Sequence, residues 1–197
     1  MKRLMTVCAA VLLLFGIGLA PVLSEDKKDP MAEWAEMNKP GDNHKLLEEY
    51  FGGDFNLKIK MWMDPKGDPM LSEGTSKGEM LFGGRYLRQD ITMIHGGDPK
   101  MESKGWSFIG YDNSNKQFVH TFIGDMGTSL DRFTGKYDEK AKTITFEGQG
   151  FIEGMGSYSS RIVVSLISKD EHKLEIFTKY VKNDEYKEME LIGTRKK

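Results

Sequence analysis

Hydrophobic positions follow three successive spacings along this 197-residue chain, and each marks a different kind of segment. From Leu4 to Ala20 the apolar residues are nearly continuous, interrupted by Thr6, Gly16 and Gly18, and Lys2 and Arg3 precede them. Pro21, the trio Val22-Leu23-Ser24 and a charged run, Glu25 to Asp29, follow. A basic start, an apolar middle and a small-residue exit form the layout of a secretory signal. Small residues one and three positions before the scissile bond, Ser24 and Val22, place the expected cut after Ser24. The stretch sits at the lower length limit of a membrane-spanning helix, about 17 residues, is broken by glycine and ends in a cleavage-like sequence.

Helical spacing comes next. Residues 25–43 read as a tether with one brief helix, Met31 to Met37, for which Asp29, Pro30 and Glu33 supply the N-cap, first helical position and capping partner. After Pro40, Asn43 is the expected cap of a second helix, His44 to Phe51, carrying Leu46, Leu47, Tyr50 and Phe51. Gly52-Gly53 stops it.

From Asp54 the period becomes two. Phe55, Leu57, Ile59, Met61 and Met63 alternate with Asp54, Asn56, Lys58, Lys60 and Trp62, which predicts a half-buried strand with both methionines inward. Further strands are expected over residues 74–82, 85–94, 105–111, 117–123, 129–137, 143–152, 160–168, 174–181 and 186–194. Turn chemistry separates them: Asp64 to Pro69, Gly83-Gly84, Gly96-Gly97-Asp98-Pro99, Asp112 to Asn115, Asp138 to Lys140, Asp170-Glu171 and Asn183-Asp184. About ten short strands without intervening helices imply antiparallel neighbours. Closure into an up-and-down barrel removes the free edges, with the second helix covering one end; a two-sheet sandwich is the alternative.

Composition narrows the function classes. The one cysteine, Cys8, leaves with the signal, so the mature 173 residues carry no disulfide, thiol nucleophile or cysteine-ligated metal. Loss of Lys2 and Arg3 leaves 26 basic against 30 acidic residues, net −4, mixed along the chain. No basic stripe suited to nucleic acid appears. The phosphate loop, dinucleotide fingerprint, zinc-helix motif and serine elbow are all missing, so no cofactor or metal is expected.

Several segments together resemble a bacterial family catalogued as domain of unknown function 1579. They are HKLLEEYFGGDF, KMWMDPKGDPMLSEGTS, GGRYL, GYDNSNKQFVHTFIGDMGTS, GKYDEKAKTITFEGQG and KEMELIGTRKK, spanning about His44 to Lys197. The resemblance implies a lipocalin-like, calycin-type barrel and no assigned activity. Two departures stand out. Phe55 occupies a position where the family usually has tryptophan. Phe122-Ile123-Gly124-Asp125 replaces the usual Trp-Ile-Asp-Asn, which moves the carboxylate one place later.

Small barrels can enclose one small ligand, and the aromatic residues and eleven mature methionines suit an adaptable lining. The leading expectation is a periplasmic or secreted protein that binds a small apolar or amphipathic molecule and meets the membrane only during export. Its candidate ligand-binding residues are Trp62, Arg85, Tyr111, His120, Phe122, Asp125 and Glu190. Arg85 and Glu190 interrupt apolar strands; buried, they would need each other or a ligand, and an arginine at the floor or mouth could clamp a carboxylate. His120 lies mid-strand between Phe118 and Phe122 and is a candidate cavity group. His44 and His172, at a helix start and a polar turn, are expected to be solvated. Other charged strand residues, Asp131 among them, are assigned to the outer face. The alternatives are an envelope hydrolase using Tyr111, Asp112, His120 or Asp125 near one barrel end, and a protein-interaction module.

Overall fold

The structure is a computed structural model that describes residues 29–197 except Gly97, Asp98 and Lys182. The expected signal segment and its cleavage point lie outside the described residues.

Helix α1 (Pro30–Met37) begins as its cap residues predict: the Asp29 carboxylate accepts from the Met31 N–H at 3.0 Å, and Pro30 needs no partner there. It buries none of its residues. Helix α2 (Asp42–Phe51) starts two residues earlier than expected, and its cap is Gly41 rather than Asn43. The Gly41 carbonyl accepts from the N–H groups of His44 and Lys45, while the Gly41 N–H donates to Nδ1 of His44 at 3.0 Å. That bond folds the imidazole into the helix start, so His44 is buried rather than solvated. Burial, followed by the nearby Arg85 charge, pushes its pKa down.

Ten strands follow: β1 (Gly53–Met61), β2 (Met70–Leu81), β3 (Tyr86–His95), β4 (Met101–Asp112), β5 (Gln117–Gly124), β6 (Asp131–Asp138), β7 (Thr143–Ile152), β8 (Gly156–Ser168), β9 (Glu171–Tyr180) and β10 (Tyr186–Arg195). Each pairs antiparallel with its sequence neighbour, and β1 also pairs with β10, from Phe55 opposite Arg195 to Met61 opposite Met189. The sheet therefore closes on itself and does not split into a sandwich. Several strands begin before their hydrophobic pattern does. Segments such as Leu71 to Ser76 and Ser157 to Ser160 alternate weakly but pair through their backbones. By the same extension β9 takes in His172, which is buried and not in a solvated turn. At the other limit β1 ends at Met61. Met63 is 81 % exposed, so only one of the two expected inward methionines faces the core.

The chain enters each odd-numbered strand at the end covered by α2 and each even-numbered strand at the other, so β10 returns to the covered end beside β1. At the covered end Leu47 and Phe51 of α2 pack with Leu87, Ile109, Phe118, Ile144, Phe146 and Leu166. Gly78 permits this approach, because a Cβ there would lie 1.9 Å from the Phe51 carbonyl oxygen. Arg195 locks the helix down. Its guanidinium donates to the carbonyls of Glu49, Gly52 and Lys169 and lies 4.6 Å over the Phe55 ring, so it meets the carbonyl-rich end of α2 with positive charge. The turn between β2 and β3 at this end needs two left-handed glycines, Gly83 (φ 67) and Gly84 (φ 86).

Inside the wall, glycines face aromatic rings on adjoining strands. A Cβ on Gly135 would meet the Phe146 ring at 2.7 Å, on Gly148 the Phe133 ring at 2.4 Å, on Gly150 the Tyr158 ring at 2.4 Å and on Gly193 the His172 ring at 2.4 Å. A side chain at any of these glycines would collide with the ring beside it, so each ring packs against bare backbone. Large side chains can thus line the barrel without filling it.

A cavity inside the barrel as the candidate functional site

Register assigns the inner face strand by strand. The inward residues include Leu57 of β1, Ser76 of β2, Gln89 and Ile91 of β3, Ser107 of β4, His120 and Phe122 of β5, and Phe133 of β6. Phe146 of β7, Ser160 and Ile162 of β8, Ile176 and Thr178 of β9, and Met189 of β10 complete the ring. They surround a cavity of about 350 Å³. It extends from Phe51 and His172, beside α2, to Ile152, Tyr158, Tyr180 and Glu188 at the opposite end. Its volume falls within the range of ordinary small-molecule pockets.

The wall divides by chemistry. At mid-depth His120 stacks on Phe133, with ring centroids 5.6 Å apart, and its Nε2 pairs with the Ser107 hydroxyl at 3.0 Å. Burial lowers its pKa from 6.5 to about 4, so the ring is neutral at neutral pH. His172, between the rings of Phe51 and Phe55, is likewise lowered to about 4 by burial and by the neighbouring Arg195 charge. Nδ1 of each histidine and the Ser76 hydroxyl are buried without a hydrogen-bond partner among the described residues.

At the mouth two carboxylates enter the lumen. The register of β10 shifts between Lys187 and Met189, and this bulge turns Glu188 inward beside Met189. Glu188 accepts from the Thr178 hydroxyl at 2.6 Å and the Tyr180 hydroxyl at 3.4 Å. Burial, with Glu188 beside it, pushes Tyr180 up to about 12. Asp131, at the first position of β6, lines the same cavity and accepts from the Tyr158 hydroxyl at 3.2 Å. Asp131 thus points inward, contrary to its expected outer-face position.

Of the seven residues singled out by sequence, His120 and Phe122 line this cavity. Tyr111 sits at the covered end, edge-on to His44 and Phe118 at 5.9 and 5.0 Å. Arg85 is in the β2–β3 turn and donates to the Phe82 carbonyl at 2.9 Å. Glu190 is on the outside of the wall near the mouth, paired with Lys187 at 2.8 Å and Lys60 at 3.4 Å. Those lysines, led by the Lys187 hydrogen bond, hold its carboxyl below the usual range. Arg85 and Glu190 therefore do not meet each other. Trp62 lies beyond the end of β1, with the Lys187 ammonium 5.3 Å from its ring centre. Asp125 follows β5 and accepts from the Lys104 N–H at 3.0 Å.

The proposed hydrolase quartet is also dispersed. Asp112 organises the β4–β5 turn by accepting from the N–H groups of Ser114 and Asn115, at the end of β5 opposite Asp125. Its neighbour Asn113 donates to the carbonyls of Met37 and Lys39 and so ties the end of α1 to the barrel. Among the described residues no three histidine, cysteine, aspartate or glutamate side chains converge as a metal site.

Sequence reading missed Glu188, Tyr158, Tyr180, Thr178, Ser76 and His172 as cavity residues. The one available signal was the broken alternation in Tyr186 to Leu191, where a strand with two adjacent inward positions marks a bulge.

A family model described as a protein of unknown function (DUF1579) matches residues 39–195, from just before α2 to the last residue of β10. No curated protein matches the chain.

Proposed function

We propose that this chain, a member of the DUF1579 family, is exported and holds a small, largely apolar or amphipathic molecule inside its barrel. The observation that carries this reading is the 350 Å³ cavity at the heart of a closed barrel. An interior filled by side chains would have left no such role. The arrangement of its wall supports the same reading. Aliphatic and phenyl groups such as Ile162, Ile176 and Phe146 offer contact area, and a few polar groups at mid-depth and at the mouth can orient a ligand. The apolar segment of residues 4–20 and the small-residue exit at Ser24 support export. The partner is then a small molecule, and the membrane is met during export.

The test is mass spectrometry of the protein purified from its native compartment, under native and then denaturing conditions. A recurrent added mass released on denaturation supports the cavity reading and reports the ligand class. Titration with the neutral fluorophore N-phenyl-1-naphthylamine gives the second arm. Saturable binding that Ile162→Phe abolishes, in a variant that still folds, is the expected result. Apoprotein that also ignores the fluorophore counts against the proposal. Amino-terminal sequencing of the same material tests export, with Glu25 as the expected first residue.

A further inference from the structure

We propose that the mouth half of the cavity receives the positively charged head of an organic cation, an ammonium or quaternary ammonium group whose apolar tail lies deeper in the barrel. The inference rests on the ligand-binding reading above.

Two carboxylates face the lumen, and the bonds the structure gives them come from hydroxyl groups: Thr178 and Tyr180 to Glu188, Tyr158 to Asp131. No lysine or arginine lines the cavity among the described residues. The basic groups nearest in sequence are engaged or turned outward. Arg161 pairs with Glu185 at 2.8 Å and lies over the Phe177 ring, and Lys187 pairs with Glu175 and Glu190 outside the wall. Arg132, which follows Asp131, is exposed. A half-buried carboxylate with no counter-charge among the described residues gains from a bound cation.

Aromatic rings complete the site. Tyr158 and Tyr180 stand side by side with centroids 6.0 Å apart at 46°, and Tyr186 lies 6.5 Å beyond Tyr180. Ring faces beside carboxylates are the chemistry that holds ammonium and methylated ammonium groups. The same carboxylates repel an anionic head. Arg85, the residue suited to clamp a carboxylate, is in a turn at the covered end of the barrel. Deeper in the cavity, the Ser76 hydroxyl and Nδ1 of His120 are buried and unpartnered among the described residues, so polar atoms inside the wall await a ligand as well.

Displacement of N-phenyl-1-naphthylamine from the exported protein by three amphiphiles with the same tail tests the inference. Octyltrimethylammonium is expected to displace the fluorophore at about tenfold lower concentration than octanoate, with octanol between them. In the double variant Glu188→Gln, Asp131→Asn the ratio of cation to anion should fall to about one while octanol is unchanged, which also shows that the cavity has survived. Octanol that binds while octanoate equals or outcompetes the cation overturns the inference and leaves the cavity reading standing. A cation preference that the double variant retains overturns it as well. Failure of the fluorophore and all three amphiphiles to bind overturns the cavity reading and this inference with it.

Discussion

Acid should unfold this barrel through two neutral histidines. His120 and His172 titrate near pH 4 in the folded protein against an ordinary value of 6.5, because burial excludes the charged imidazolium. The unfolded chain therefore binds more protons than the folded one between pH 6.5 and 4. Stability is fully present above pH 6.5 and is lost as the pH falls through that window. At pH 5 each histidine costs about 2 kcal/mol relative to pH 7.5, and the pair costs about 4 kcal/mol, a large part of the roughly 5–15 kcal/mol that holds a domain together. His44, lowered by its own burial, acts in the same direction. Glu175, Glu185 and Glu190, whose carboxyls lie below their usual range, add their losses only at lower pH. Urea unfolding followed by tryptophan fluorescence at pH 7.5 and 5.0 isolates the histidines. With a slope of roughly 2 kcal/mol per molar urea, the midpoint should fall by about 2 M in the native sequence. His120→Leu with His172→Leu should remove most of that fall, whatever the variant's stability at pH 7.5. Equal midpoints at the two pH values, or an undiminished fall in the double variant, would refute the reasoning.

Four further outcomes follow from the packing. Arg195→Met strips the carbonyls of Glu49, Gly52 and Lys169 of a charged donor and should destabilise by about 2–3 kcal/mol, with faster hydrogen exchange concentrated in residues 42–51. Gly148→Ala places a methyl 2.4 Å from the Phe133 ring and 3.0 Å from the Arg132 carbonyl oxygen, so calorimetry should show a loss of about 1–3 kcal/mol. Phe146→Ala removes a ring that both closes the core and lines the cavity; a loss of about 3–5 kcal/mol should come with tighter uptake of a bulkier fluorophore. Gly150→Ala pushes on the Tyr158 ring at the mouth and should change fluorophore affinity more than thermal stability.

The fold was legible where the two faces of a strand differ. In β1 the inward series Phe55, Leu57, Ile59 alternates with Asp54, Asn56 and Lys58, so period two identifies both the strand and its buried side. Turn residues marked the other strands well enough to imply an antiparallel barrel, and the cap residues Asp29 and Pro30 marked the start of α1. The second helix was found but not its cap, because a glycine at that place carries no side chain to announce it. His172 was misplaced for a related reason: its segment is short and polar, and its burial depends on Phe51 arriving from α2 and Gly193 lying opposite in β10.

The site was much less legible, and the reason is physical. A cavity that accepts polar and apolar parts of a ligand is lined by both, so serine, glutamine, histidine and threonine occupy inward positions and the alternation fades where it would be most informative. His120 and Phe122 were recoverable because apolar neighbours flank them. Glu188 was marked only by the break in alternation over Tyr186 to Leu191, because a bulge turns two successive residues of β10 to the same side. Asp131, Tyr158, Tyr180 and Glu188 come from four strands spanning residues 131–188 and meet through lateral pairing of whole strands. Local pattern thus settled that the chain makes antiparallel strands with a helical lead-in. The pairing of β1 with β10, 140 positions apart between Phe55 and Arg195, settled that these strands enclose a space and which side chains face it. Periodicity is a property of neighbours along the chain, whereas a lumen exists only once the first and last strands have met.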